Sequence, residues 1–188
     1  VNHHYVVLSL IVVLFTTTGC FDGTTEPEPG KTPDLGSPAK TLNTVETAIN
    51  EGNIELLSLC LSDDFHFYFN SDDIGDTVDG YEIPASWNNN EFIQAFGNVF
   101  DNAYSVTVTI GYDDVGEPNE TDVEFSADNV LLYFVVFIGE TDAYLAEGFI
   151  NLKFIKDTAG DNVEWLISDW YDETTTVTTF GYVLAYFY

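Results

Sequence analysis

The chain has 188 residues, 45% of them apolar, with 15 Phe and 11 Tyr; this is enough to bury one sizeable core and excludes an intrinsically disordered protein. Its 32 acidic residues stand against four Lys and no Arg, a formal charge of −28, so nucleic acid is a poor partner and anionic substrates lack the guanidinium fork that usually clamps them. Neutral ligands and cations remain.

Residues 6–15, VVLSLIVVLF, form an apolar run of signal-peptide length, about half of what a membrane-spanning helix needs. The following Thr17-Thr18-Gly19-Cys20 resembles the lipobox of bacterial lipoproteins. The resemblance implies a lipoprotein signal peptide over residues 1–20 ending at the lipobox Cys, an acylated Cys20, and attachment to a membrane of the bacterial cell envelope through this N-terminal lipid. Phe21 in place of Asp after that Cys implies sorting to the outer membrane. The alternative is an ordinary cleaved signal that leaves Cys20 as a free or disulfide-bonded thiol. Residues 21–37 are rich in Pro, Gly, Thr and acid, with little to bury, and are expected to form a disordered tether. Ser37 before Pro38 fits an N-cap with Pro in the first helical position, which starts a single domain over residues 38–188.

Residues 41–61 predict two short amphipathic helices. Leu42, Val45, Ala48 and Ile49 mark the first; Ile54, Leu57, Leu59, Cys60 and Leu61 mark the second; Gly52-Asn53 supplies a stop and a new N-cap. The period then changes to two, with Phe65, Phe67 and Phe69 alternating with His66, Tyr68 and Asn70, as in a strand. After an Asp- and Gly-rich loop, Asn88 and Glu91 resemble a capping box, and Phe92, Ala95, Phe96, Val99 and Phe100 recur at helical spacing. Residues 105–112 alternate as a strand, and three longer strands are expected over 123–138 (broken near Asn129), 143–156 and 163–172, with short turns that imply antiparallel pairing. The tail, 174–188, is β-prone and aromatic, suited to a last strand or to covering a sheet edge.

Chemical signals are sparse. His66 is the single His after residue 20, which excludes paired-His mechanisms, and no G-x-S-x-G elbow accompanies it. The loop 70–80 has a calcium-like composition but departs from the EF-hand frame at Ile74 and Tyr81, so it reads as solvated and no metal or cofactor is predicted. Cys60 reads as a small buried hydrophobe. His66 and Tyr68 share the strand face opposite the three Phe residues; with Trp87 and Trp170 they are the expected lining of a ligand pocket. No residue is assigned a catalytic role.

The order of these elements, with the segments ELLSLCLSDDFHFYF, YLAEGFINLKFI and WLISDWYDE, resembles the nuclear transport factor 2-like superfamily, including its SnoaL-like members, over about residues 41–172. That resemblance implies an α+β fold in which a cone-shaped, curved antiparallel sheet packs on three N-terminal helices around an open-ended pocket. Enzymes of the superfamily place Asp, His or Tyr inside the pocket, and none of their motifs matches residue by residue. The leading reading is a non-catalytic domain that binds a small, neutral, largely apolar ligand or a protein partner. The alternatives are an isomerase, dehydratase or cyclase with a pocket His or Asp as general base, and an interaction module whose pocket is filled by its own aromatics. The sequence leaves the oligomeric state open, a homodimer included.

The charge balance yields one expectation about conditions. Mutual repulsion among 32 carboxylates is relieved as the Debye length falls to about 3 Å near 1 M salt, so the melting temperature should rise between low and high NaCl. A flat or falling curve by differential scanning fluorimetry contradicts this.

Overall fold

The computed structural model describes residues 33–160, 162–175 and 178–188; the expected signal peptide, Cys20 and most of the expected tether lie outside them. Helix α1, Pro38–Glu51, starts where Ser37 accepts a hydrogen bond from the Lys40 amide, and buries Leu42, Val45, Ala48 and Ile49. Just before it, Leu35 is buried and its carbonyl accepts from the Trp165 amide at 2.8 Å, so packing on the domain begins ahead of the helix. Gly52 ends α1 in the left-handed region (φ 65°), where a Cβ would be strained. Asn53 then caps α2, Ile54–Leu59, by accepting from the Leu56 amide at 3.0 Å. Leu59, expected on the apolar face, is 55% exposed. With six residues α2 has fewer than two turns, and the chain leaves it at buried Cys60 to begin β1, Leu61–Tyr68.

In β1, Phe65 and Phe67 turn inward, as does Phe69 just beyond it. A two-stranded hairpin, β2 (Thr77–Val78) with β3 (Tyr81–Glu82), interrupts the Asp-rich loop, and β4, Ser86–Asn88, leads into α3, Asn89–Asn102. The capping box of Asn88 and Glu91 is complete, and Phe92, Ala95, Phe96 and Val99 are buried. The remaining strands are β5 (Ser105–Ile110), β6 (Glu124–Phe137), β7 (Ala143–Asp157) and β8 (Glu164–Thr174), giving a six-stranded sheet in the order β4-β1-β8-β7-β6-β5. All pairs are antiparallel except β1 with β8. That parallel pair departs from hairpin-by-hairpin growth because the last strand returns beside the first.

The break expected near Asn129 is a bulge: the register shifts between Ala127 and Val130, Asn129 has φ 56°, and its amide donates to Asn151 Oδ1 at 2.8 Å. An extra residue of this kind bends and twists a long strand. The free edge of β5 is covered by α1. Val108 exchanges hydrogen bonds of 2.8 and 2.9 Å with the Asn50 side-chain amide, and the Ile110 amide donates to Glu46 at 2.6 Å.

The tail corrects the sequence reading. Instead of a strand it forms α4, Phe180–Phe187, with Thr179 as N-cap and Phe180, Val183 and Leu184 buried at i, i+3 and i+4. Local β propensity yields to topology here: β8 already lies between β1 and β7, and α1 covers the β5 edge. The concave face of the sheet is where an aromatic segment can bury itself.

Candidate functional site

Across the sheet, Trp87 on β4 pairs with Phe67 on β1, and Phe67 pairs with Trp170 on β8. All three side chains are fully buried on the concave side. Helix α3 lays Phe92 and Phe96 over them, with Phe92 5.3 Å from Phe67 and 5.9 Å from Trp170 between ring centroids. Phe180 enters this space from α4. It stacks on Trp170 at 5.4 Å and 15°, and meets Phe134 edge-on at 4.9 Å and Phe67 at 5.8 Å. The interior of the cone is thus occupied by the chain's own tail. Aromatic pairs of these geometries each contribute about 0.5–1.5 kcal/mol beyond area burial.

The four residues expected to line a pocket are not brought together. Trp87 and Trp170 are in this interior; His66 and Tyr68 point to the other face of the sheet, where His66 is exposed. Parity along β1 decides this, since turning three Phe residues inward turns His66 and Tyr68 outward. There Tyr68 stacks on Tyr171 at 4.5 Å and 5°, His66 lies 6.1 Å from Tyr68, and Lys153 sits 5.4 Å above the Tyr171 ring. Burial, followed by the nearby Asp169 charge, raises the Tyr68 phenol above its ordinary pKa. Within the cone, the Trp87 indole N–H donates to the Tyr81 hydroxyl at 2.8 Å, whereas that of Trp170 has no partner among the described residues.

The polar group of this interior is Asp172, which the sequence reading left unassigned. One carboxylate oxygen accepts from the Thr174 amide at 3.0 Å and the Thr174 hydroxyl at 2.5 Å; the other accepts from the Gly181 amide at 2.6 Å. Thr174 Oγ1 in turn accepts from the Phe180 amide at 2.9 Å, and the Thr179 hydroxyl donates to Asp73 from the Asp-rich loop. These contacts satisfy first-turn amides of α4 that have no partner within the helix. Two acids and two threonines therefore hold the start of α4 at the mouth of the cone. Gly181 fits there because it lacks a side chain: a Cβ would lie 2.6 Å from the Phe69 ring and 3.1 Å from Asp172. Burial raises the Asp172 carboxyl from 3.8 to about 6, against the lowering effect of its hydrogen bonds, and burial raises Asp73 as well.

Outside the cone, a cleft of about 640 Å³ opens where β6 bulges. It lies between residues 111–116 and the β6–β7 pair, and its lining includes Asp114, Val115, Phe125, Asp128, Leu131 and Phe149.

Solved structures share this architecture. A conserved protein from Planctomyces limnophilus superposes with a TM-score of 0.55 at 13% identity, over 72% of this chain and 91% of its own. A scytalone dehydratase-like protein from Novosphingobium aromaticivorans gives 0.54 at 7% identity, over 73% and 80%, and Kfla4162 from Kribbella flavida gives 0.52 at 15%, over 78% and 92%. The chain has the nuclear transport factor 2-like fold. No protein-family model and no curated protein sequence matches it. In this nuclear transport factor 2-like domain, residues 180–187 lie beyond the stretch over which the sequence resemblance runs, and they fill the cone.

Asp172 makes stability depend on pH. Its folded pKa lies above the unfolded one, so the proton is held more tightly in the folded state. The stabilisation is full below about pH 4 and is lost as pH rises through about 6, a change of about 3 kcal/mol. Asp172→Asn replaces the carboxyl with a group that does not titrate, so it should not share this loss. The stability of wild type relative to the variant should fall by about 3 kcal/mol between pH 4 and 7 in urea titrations. A difference independent of pH would mean that Asp172 titrates normally.

Proposed function

We propose that this protein is a lipid-anchored component of the bacterial cell envelope, held by acylated Cys20 in the outer membrane, whose domain binds through its outer surface without catalysis. The observation that carries the binding half is the burial of Phe180 against Trp170, Phe134 and Phe67, which sets the chain's own aromatics where an open cone of this fold would hold a substrate. Neither His66, the base considered from sequence, nor Asp172, the carboxyl that the structure places inside the cone, favours turnover there. His66 is on the outer face, and both oxygens of Asp172 are engaged by Thr174 and Gly181. The anchor half rests on the lipobox-like Thr17-Thr18-Gly19-Cys20. A neutral or positively charged partner is favoured by the −28 formal charge.

Two measurements test the two halves. Trp87, Trp165 and Trp170 are all buried, so acrylamide should quench tryptophan fluorescence of the folded protein weakly. Quenching close to that of the urea-unfolded chain would mean the cone opens in solution and would restore the enzyme reading. In host cells, Cys20→Ala should release the protein from membranes or leave it as unprocessed precursor. Membrane association equal to wild type would remove the lipid anchor.

A further inference from the structure

The cleft at the β6 bulge is the strongest unassigned feature, and its lining has a definite chemical character. The apolar contribution comes from Val115, Phe125, Leu131 and Phe149; Leu131 and Phe149 face each other across β6 and β7 and are 50% and 46% exposed. Among the described residues its charged lining is Asp114 and Asp128. Its volume of about 640 Å³ falls within the range of small-molecule sites, about 300–1,000 Å³.

Backbone features build the cleft. Asn129 at φ 56°, with its amide tied to Asn151, bends β6 away from regular pairing. Gly111, whose amide donates to the Leu131 carbonyl at 2.9 Å, brings the following residues against the same strand; a Cβ there would press on Leu131 at 3.2 Å. The cleft therefore comes from an extra strand residue on one wall and a close approach on the other.

We infer that this cleft binds small amphipathic cations, an ammonium group carried on an apolar body. The apolar body lies against Leu131 and Phe149, and the ammonium lies by Asp114 and Asp128. Lys153 stands opposite Ser126 in the β6–β7 pair but sends its ammonium over the Tyr171 ring; the two exposed carboxylates, Asp114 and Asp128, penalise an anionic head group and leave a neutral one without a charge partner. The inference rests on the proposed surface-binding function and specifies the site and the ligand class for it.

The test uses three probes with one alkyl chain, octyltrimethylammonium, octanol and octanoate, titrated into the folded protein by calorimetry at about 1 M NaCl, where the Debye length is ~3 Å and diffuse attraction to an acidic surface is screened. The expected order is the ammonium probe tightest, octanol at least about tenfold weaker, and octanoate weakest, a tenfold step being 1.4 kcal/mol. Leu131→Asp separates a site from general attraction because it adds negative charge while removing the apolar wall. It should weaken the ammonium probe at least about tenfold. Unchanged or tighter binding would mean that the probe follows surface charge, and would overturn the site. The double variant Asp114→Asn with Asp128→Asn should bring the ammonium probe down to the level of octanol. If wild type binds octanol and the ammonium probe equally and Leu131→Asp weakens both, the cation preference is overturned while surface binding stands. Near-UV circular dichroism of each variant should match wild type, Leu131 being half exposed and both aspartates exposed.

Discussion

Phe180 against Trp170 is the contact on which the rest of this domain depends. A curved sheet has a concave face that must be covered, and here one ring touches Trp170 on β8, Phe134 on β6, Phe67 on β1 and Phe96 on α3. In doing so it joins the two halves of the sheet to the third helix. A nuclear transport factor 2-like cone with an open interior leaves such surface to a ligand, whereas this chain supplies the covering group from its own α4. The polar contacts at the mouth set position and contribute less to cohesion: Asp172 and Asp73 fix where α4 begins, and the aromatic interior sets how firmly it stays.

That division fits the charge distribution. With four Lys among 188 residues, ion pairs have little scope to stabilise the fold, and the Lys40–Asp34 pair is well exposed, where solvent screening leaves such pairs little to contribute. Lys153 and Lys156 lie over aromatic rings, Tyr171 and Trp165. Stability then rests on apolar packing and on side-chain amides that complete the backbone, such as Asn50 along the β5 edge and Asn88 at the start of α3.

Much of the fold was legible because its local signals agree with one another. Ser37-Pro38, Gly52-Asn53 and Asn88 with Glu91 give helix ends their caps, and the stripe from Phe92 to Val99 gives α3 its buried face. The break at Asn129 was visible as a turn-prone residue inside a long β run. What was not legible depends on distant pairing. Nothing local says that β1 lies beside β8, and in a segment dense with Thr, Val and aromatics β propensity masked the helix that carries Phe180, Val183 and Leu184. Their i, i+3, i+4 spacing is the signal that was there to find. The pocket assignment went astray for a related reason. Alternation told which residues share a face of β1 without telling which face is concave, so His66 and Tyr68 were grouped with Trp87 and Trp170 although the sheet lies between them.

The pairing of β1 with β8 has a consequence for how the chain reaches this state. Translation proceeds from the N-terminus, so Phe65 and Phe67 emerge roughly a hundred residues before the strand that will lie next to them, and the ring that covers them comes later still. Contacts of such long sequence separation slow folding and prolong the exposure of sticky surface. The domain thus cannot mature piecemeal: its first strand waits for α4, and a chain cut short before residue 180 is left unclosed, its sticky surface exposed.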